Sequence, residues 1–337
     1  MTVEPLLRVR DLQVEFSLAR GVLRAVDGAS FDVAPGEALG IVGESGSGKT
    51  MALRALVGLL PRGAHITGGT VEIDGVDVTA AGEDKRRELR GTTVSMIFQE
   101  PMTALNPVMR VGDQIAEEPL VRLGLSRGAA KARALELMGL VGIPDPRRRA
   151  AAYPHELSGG MRQRVMIAIA LSGNPKLVLC DEPTTALDVT IQDQILKLLQ
   201  QLQRELDVSL VFVSHDLAVI AQTCRRLAVM YAGQVVESGT VAEVFREPRH
   251  PYTLGLLRAV PDFDIVRERL ASIPGAPPDL ASPPSGCRFH PRCQFVQEDC
   301  LHDPVALEEL PGGRAVRCLH HDQTAADVQR EPVIVDA

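Results

Sequence analysis

The stretch Gly43-Glu44-Ser45-Gly46-Ser47-Gly48-Lys49-Thr50 decides the fold of this 337-residue chain, because it fits the G-x4-G-K-[ST] pattern of a phosphate-binding loop. A short apolar run, Ala38–Val42, precedes it, and Met51–Leu60 shows helical spacing. In a strand–loop–helix unit, the backbone N–H groups of the loop turn toward phosphate at a helix N-terminus. We therefore expect Lys49 to reach the β- and γ-phosphates of a nucleotide and Thr50 to ligate Mg²⁺.

Two carboxylates follow a second apolar run, Leu177–Cys180. Asp181 and Glu182 stand at the carboxyl end of a predicted central strand, where open α/β sheets bind ligands. We expect Asp181 to hold Mg²⁺ and Glu182 to polarise the attacking water, since phosphoryl transfer needs positioning and charge neutralisation. Taken alone, the pair fits a helix cap at Pro183-Thr184 equally well.

Gln99 and His215 follow two further apolar runs, a predicted buried strand at Ser95–Phe98 and the run Leu210–Ser214. A lone glutamine or histidine is most often structural, but both residues come directly after strands of one predicted sheet. We expect Gln99 to sense Mg²⁺ or water, and His215 to contact the γ-phosphate.

Composition limits the class of protein. The chain is 45% hydrophobic and 23% charged, which is typical of a globular protein with a core. Its net charge of −7 lacks the basic bias of nucleic-acid binding, so no nucleic-acid partner is expected. Apolar stretches such as Val165–Leu171 fall short of the ~20 residues of a membrane helix, and no secretion signal is visible. We expect a cytosolic chain that needs other subunits to act across a membrane.

The order of patterns along the chain predicts two domains. Residues 7–35 read as antiparallel strands, and Gly69–Ile73 as a further strand before a turn. We expect a helix over Thr190–Leu206 between two apolar strands, and this alternation favours right-handed βαβ units and a covered parallel sheet. A closing hairpin is expected from Leu227–Met230, Gly233-Gln234 and Val235–Glu237. Six prolines fall between Ile273 and Arg292, where regular patterning stops. The prediction is an α/β ATPase domain over residues 1–247, with a helical subdomain at about 105–160, and a small Cys-rich, loop-rich module over 248–337.

The set of motifs resembles the ABC-type ATPase domain over about residues 7–245. The segments that carry this resemblance, in their usual order and spacing, are GESGSGKT (43–50), Gln99, LSGGM (157–161), LVLCDEP (177–183), Ala186-Leu187-Asp188 and VSHD (213–216). The resemblance implies a P-loop fold with a RecA-like parallel sheet core, an antiparallel β subdomain and a helical subdomain. It also implies ATP and Mg²⁺ as ligands.

By the same resemblance, two such domains form a head-to-tail dimer with two ATP molecules at the interface. Each ATP would lie between one chain's phosphate loop and Ser158, Gly159 and Gly160 of the partner. Asp188 would link the two sites across the interface.

A narrower resemblance covers nearly the whole chain. Phe98–Pro107 (FQEPMTALNP), His250-Pro251-Tyr252-Thr253 and the C-terminal cysteines are similar to the oligopeptide/dipeptide importer ATPases. This implies an ATPase on the cytoplasmic face of the cell membrane that powers uptake of di- and oligopeptides. Its partners would be two transmembrane permease subunits, a second, paralogous ATPase and an extracytoplasmic substrate-binding protein. Gln99–Pro107 and the helical segment after it would contact the permeases.

Two positions depart from the ABC pattern. Met161 stands where glutamine is usual, although the serine and glycines before it are retained. The aromatic residue that commonly stacks on adenine is replaced by Arg20, whose guanidinium can stack in its place. Phe16 is the second candidate for this contact.

Four cysteines follow the pattern Cys287-x5-Cys293-x6-Cys300-x17-Cys318. Four thiolates suit Zn²⁺ or an iron–sulfur cluster, and spacing alone leaves iron–sulfur, zinc and no metal at similar odds. The subfamily resemblance favours a structural [4Fe–4S] cluster, with Zn²⁺ as the alternative. Residues that can substitute as ligands are His290, His320 and His321.

Three alternatives to peptide import stay open. The first is import of nickel chelates or other small solutes by a related transporter. The second is a soluble ABC protein of DNA repair or translation, although the sequence shows no coiled-coil heptads and no internal repeat. The third is an inactive regulatory protein, which conflicts with the presence of Lys49, Asp181, Glu182 and His215.

Overall fold

The computed structural model describes residues 4–18, 21–185, 187–260 and 272–330. Its strands in chain order are β1 (Leu7–Leu18), β2 (Gly21–Val33), β3 (Ala38–Val42), β4 (Ala64–Ile73), β5 (Val76–Asp77), β6 (Val94–Ile97), β7 (Leu177–Asp181), β8 (Ser209–Ser214), β9 (Arg226–Tyr231), β10 (Gln234–Thr240), β11 (Glu308–Leu310) and β12 (Arg314–Val316). Its helices are α1 (Lys49–Leu56), α2 (Glu83–Thr92), α3 (Pro101–Ala104), α4 (Val111–Val121), α5 (Arg127–Leu140), α6 (Pro146–Ala150), α7 (Gly159–Leu171), α8 (Val189–Leu206), α9 (Leu217–Thr223), α10 (Val241–Arg246), α11 (Pro251–Arg258) and α12 (His321–Arg330).

The chain forms two compact units. The first holds residues up to Leu7, Val33–Glu37 and Glu72–Phe212, and the second holds Arg8–Asp32, Ala38–Val71 and the chain from Val213 onward. Within the described ranges, no helix combines the length and apolarity needed to cross a membrane.

Parallel strands form the sheet of the first unit. β6 pairs with β7 in register, with Ile97 opposite Cys180, and β8 neighbours β7 on its other side. All five residues of β7 are buried, as its continuous apolar run predicts. β6 ends one residue earlier than expected, and Phe98, predicted to be buried, is 37% exposed. Because β6 and β7 run parallel, the residues that follow them emerge at the same edge.

Helix α8 follows the predicted helical spacing closely. Asp188 caps its N-terminus, where Oδ1 accepts a hydrogen bond from the N–H of Ile191 at 2.9 Å. Asp207, in the left-handed conformation, ends it. One face is buried and consists of Ile195, Leu196, Leu198, Leu199 and Leu202. That spacing is the reason the segment is helical. Helices α4, α5 and α7 also pack on one another in this unit.

The second unit contains the strand that leads into the phosphate loop. β3 is fully buried and pairs in parallel with β9, with Val42 opposite Val229. β9 and β10 form the predicted hairpin, whose turn residues Ala232 and Gly233 both have positive φ. Strand β4 begins at Ala64, earlier than its apolar pattern indicates.

The C-terminal segment contains more regular structure than its prolines predict. β12 pairs antiparallel with β10, with Val316 opposite Glu237, and β11 pairs with β12. α12 runs from His321 to Arg330. These elements lack a strong apolar period in sequence. β12 is held by backbone hydrogen bonds to β10, and β11 is held in the same way to β12. Apolar periodicity along the sequence does not reveal pairing of this kind.

Candidate functional site

The phosphate loop is a tightly packed turn. Gly48 has φ 101°, and a Cβ atom there would lie 2.3 Å from the carbonyl oxygen of Ala25, so no side chain fits. Ser47 and Lys49 are only 4% and 5% exposed. The loop is therefore shaped mainly by backbone, as phosphate binding by N–H groups requires.

Lys49 lies folded over this loop. Its Nζ donates hydrogen bonds to the carbonyl oxygens of Gly43 at 2.7 Å and Glu44 at 2.9 Å, and it lies 3.5 Å from Ser47 Oγ. This places a buried positive charge inside the turn, beside the N-terminus of α1. Thr50 is half-buried in the first turn of that helix.

Residues far along the chain support the loop from outside. The N–H of Glu44 donates to Tyr252 Oη at 2.8 Å, and the N–H of Gly233 donates to the carbonyl of Ser47 at 2.9 Å. Arg292 binds the Glu44 carboxylate through both terminal nitrogens, at 2.7 and 3.0 Å. The sequence patterns gave no sign of Tyr252 or Arg292 in this role, because the contacts span more than 200 positions.

Two of the predicted residues of the first unit meet at the edge of its sheet. Gln99 Nε2 donates to Glu182 Oε2 at 3.1 Å, and Thr185 Oγ1 donates to the same oxygen at 2.8 Å. Asp181, at the end of β7, is 1% exposed. Glu182 has φ 46°, an unfavourable backbone conformation for a non-glycine residue. The parallel register of β6 and β7 explains why Gln99 and Glu182 are neighbours.

The predicted residues divide between the two units. His215 follows β8 and is exposed, and it belongs to the second unit together with the phosphate loop. Gln99, Asp181, Glu182, Ser158 and Asp188 belong to the first. Arg20, predicted to stack on adenine, lies outside the described residues, as does Ala186. Phe16, the second adenine candidate, is half-buried in β1.

Ser158 and Gly159 are exposed at the N-terminus of α7. Ser158 Oγ caps the helix by accepting the N–H of Met161 at 3.3 Å. A Cβ atom on Gly160 would lie 2.8 Å from Ile191 Cγ2 of α8, whereas one on Gly159 would lie 3.7 Å from Leu187. The two glycines thus have different constraints, since only Gly160 is held by packing. Asp188, the cap of α8, is also exposed.

All four C-terminal cysteines line one small cavity of about 20 Å³. None of the chain's six cysteines, each within the described ranges, forms a disulfide. Backbone bonds fix two of them: the N–H of Cys287 donates to the carbonyl of Cys300, and the N–H of Phe295 donates to Cys293 Sγ. Burial raises the pKa of the Cys293 thiol to about 11 and that of Cys318 to about 12.

This donor set fits a thiophilic metal centre. Buried thiols stay protonated unless a cation compensates their thiolate charge, and four cysteine ligands are the set used by zinc and iron–sulfur centres. Two of the predicted substitute ligands, His290 and His320, line the same cavity, and each has a polar neighbour of its own. His320 Nε2 lies 2.9 Å from Asp299 Oδ1, and His290 Nδ1 lies 3.0 Å from the carbonyl of Cys287. Among the residues that the structure describes, Asp299, Cys300 and His320 form the one group of three or more such side chains whose ligand atoms lie within 4.8 Å of one another. The four cysteine sulfur atoms are not gathered that closely.

The His250-Pro251-Tyr252 stretch connects this region to the loop. His250 caps α11 through Nδ1, and its N–H donates to the buried carboxylate of Glu237 at 2.9 Å. Burial lowers the pKa of His250 to about 3, so the imidazole is neutral. It therefore acts as a hydrogen-bond acceptor that starts the helix carrying Tyr252.

Comparisons with known proteins agree with these features. A family model described as ABC transporter matches residues 26–185, and one described as oligopeptide/dipeptide transporter, C-terminal region, matches residues 236–300. The dipeptide transport ATP-binding protein DppD of Escherichia coli is 48% identical over 313 residues, 93% of this chain and 96% of its own length. The oligopeptide transport ATP-binding protein OppD of Bacillus subtilis is 49% identical over 298 residues, 88% of this chain and 83% of its own.

Solved structures show the same fold. A dimeric post-hydrolysis state of the ATP-binding cassette MJ0796 bound to ADP and Pi superimposes with a TM-score of 0.63 at 27% identity, covering 70% of this chain and 98% of that one. The predicted ABC ATPase fold is therefore confirmed. With relatives near 48% identity over most of its length, the chain belongs to the ABC transporter family, as an ATP-binding subunit of the oligopeptide/dipeptide branch.

Proposed function

We propose that this chain binds and hydrolyses ATP to power the import of di- and oligopeptides. The observation that carries the proposal is the near-complete alignment to ATP-binding proteins named for dipeptide and oligopeptide transport. The geometry supports it, since a packed phosphate loop and a Gln99–Glu182 pair are what phosphoryl transfer to water needs.

Within one ATP site, the residues divide into three tasks. The loop residues Gly43–Thr50 bind phosphates through backbone N–H groups, and Lys49 exchanges its carbonyl partners for phosphate oxygens. Thr50, Gln99 and Asp181 hold Mg²⁺, directly or through water. Glu182, already oriented by Gln99, positions and polarises the attacking water, and His215 contacts the γ-phosphate.

A second chain completes each site. The exposed Ser158 and Gly159 and the half-buried Gly160, at the start of α7, offer a helix N-terminus to the γ-phosphate of ATP held by a partner ATPase, and Asp188 contacts that partner. The partner is a paralogous subunit. Two transmembrane permeases and an extracytoplasmic substrate-binding protein complete the importer, with this chain on the cytoplasmic face of the membrane.

The four-cysteine cavity holds a structural metal centre, a [4Fe–4S] cluster rather than Zn²⁺. Cys287, Cys293, Cys300 and Cys318 are its ligands, and the centre ties together a segment with little apolar core of its own. Anaerobic purification followed by metal and sulfide analysis tests this. About four iron and four sulfide per chain are expected. One zinc would favour the alternative, and neither metal would refute the site.

Uptake into membrane vesicles tests the whole proposal. The chain is co-expressed with its permeases, second ATPase and binding protein, and labelled di- and oligopeptides are followed with and without ATP. Peptide uptake that requires ATP and disappears with Glu182→Gln is expected. Uptake of nickel chelates in place of peptides, or an ATPase activity that responds to DNA and not to peptide, would contradict it.

A further inference from the structure

The C-terminal segment reaches the nucleotide-binding loop through one charged contact. Arg292, directly before Cys293, forms a bidentate ion pair with Glu44, the second residue of the phosphate loop. The Arg292 side chain is 4% exposed and that of Glu44 is 29% exposed. A paired, fork-shaped contact of this kind fixes orientation as well as distance.

Arg292 is itself held rigidly. Its Nε donates to the carbonyl of Pro274 at 2.9 Å, and its guanidinium lies 5.7 Å from the ring centre of Tyr231 and 5.9 Å from that of Phe289. Aromatic faces favour a cation at this range. The guanidinium therefore presents its two terminal nitrogens to the Glu44 carboxylate in a fixed orientation.

Glu44 connects Arg292 to the part of the loop that faces phosphate. Its N–H donates to Tyr252 Oη, and its carbonyl accepts a hydrogen bond from Lys49 Nζ at 2.9 Å. A shift of the Glu44 side chain would turn the peptide groups on both sides of it. Those groups belong to the backbone that must align with phosphate oxygens.

We propose that Arg292 is a positioning residue for ATP binding, which holds the phosphate loop in its binding conformation through Glu44. The inference deepens the proposed function and rests on it, because it assigns a distant residue to the same ATP site. In this role Arg292 acts through Glu44 and not through its own contact with ATP. Because Arg292 holds the loop in its binding conformation beforehand, it lowers the entropy cost of ordering the loop when phosphate binds.

The test is a double-mutant cycle on the full-length chain, with direct measurement of the Kd for ATP. Arg292→Met keeps an unbranched apolar stem against Tyr231 and Phe289 but removes the fork. Glu44→Ala removes the other partner and leaves the C-terminal segment unchanged. We expect each single variant to raise the Kd about tenfold, and the double variant to be no worse than either one. Arg292→Lys should recover part of the loss.

Arg317→Met is the matched control. Arg317 is a half-buried arginine next to Cys318, and its guanidinium donates hydrogen bonds to the carbonyls of Val235 and Val305. It should leave the Kd for ATP within about twofold of wild type. Melting temperature and metal content are measured for every variant. If Arg292→Met does not fold, Glu44→Ala with and without Arg292→Lys still decides the question.

Outcomes separate the two proposals. If the wild-type chain binds no ATP, the proposed function fails. If wild type binds ATP but Arg292→Met and Glu44→Ala leave the Kd unchanged, the positioning role is wrong. The positioning role is also wrong if the losses of ATP affinity in the two single variants add up in the double variant. It is wrong as well if Arg317→Met loses as much ATP affinity as Arg292→Met.

Discussion

Two glycine-containing turns of this chain each lead into a helix N-terminus, yet their surroundings are opposite. The phosphate loop is packed on one side, with Ser47 and Lys49 nearly inaccessible and Glu44 bound to Tyr252 and Arg292, while Ser45 and Gly46 are exposed. The Leu157–Met161 turn leaves Ser158 and Gly159 exposed, and its capping bond is made within the turn itself.

This difference indicates different tasks. Buried contacts order the phosphate loop before a ligand binds, so less conformational entropy is lost when the single chain binds its ligand. An exposed helix N-terminus keeps its donors available for an anion brought by another molecule. The contrast predicts that changes in the loop weaken ATP binding by the single chain, and that changes in the turn leave this binding intact and reduce hydrolysis only in the assembled complex.

The largest effect is expected for Glu182→Gln. The amide keeps the size of the side chain but cannot polarise water as a carboxylate does, so hydrolysis should fall about 10²-fold or more. ATP affinity should stay near wild type. Single-turnover hydrolysis and equilibrium ATP binding measure the two separately. Near-normal turnover would remove Glu182 from its proposed role.

Lys49→Ala tests the phosphate loop and should weaken ATP binding by the isolated chain. It removes a charged hydrogen-bond donor, for which losses of about 1.5–3 kcal/mol are typical, so the Kd of the isolated chain for ATP should rise roughly 10- to 100-fold. Lys85→Ala is a control, because Lys85 is exposed on α2, where it pairs with Glu88. Unchanged affinity in Lys49→Ala would contradict the assignment.

Ser158→Ala tests the Leu157–Met161 turn and should affect hydrolysis by the complex, not ATP binding by the isolated chain. Loss of the hydroxyl should reduce hydrolysis by the assembled complex about tenfold, while the Kd of the isolated chain for ATP stays constant. Ser126→Ala is a closely matched control, since Ser126 caps α5 with the same 3.3 Å bond to the residue three positions on. Both variants should lose about 1 kcal/mol of stability, and only Ser158→Ala should lose hydrolysis. Equal activity in the two would refute the contact.

The smallest effect concerns the packing under the turn. Gly160→Ala should lower the free energy of unfolding by about 1–3 kcal/mol, because the new methyl group would meet the stiff Cγ2 of Ile191 at 2.8 Å. Gly159→Ala has room and should be neutral or stabilising by up to about 1 kcal/mol. Denaturant unfolding of both variants checks this. A greater loss in Gly159→Ala would mean that the turn is packed differently.

Much of the nucleotide-binding core followed from local patterns. Strand β3 matches its apolar run, α8 matches its spacing within one residue, and the β9–β10 hairpin lies where its turn residues indicated. The meeting of Gln99 and Glu182 was also predictable, since residues after parallel strands share one edge. Such features depend on residues near one another in sequence or on rules general to α/β sheets.

Other features had no local signal. The exposure of Phe98, the strand β12 and the helix α12 differ from what apolar patterning indicated. An apolar run reports hydrophobicity, and burial depends on what packs against it.

The sequence by itself determined the family, the phosphate loop and the identities of the polar residues proposed to act on ATP, because these depend on residue type and short spacing. Only the tertiary structure decided that Arg292 meets Glu44 and that four cysteines line one cavity. Contacts across more than 200 positions arise when separate strands and helices pack together. No spacing along the chain encodes them, since they depend on the geometry of every element in between.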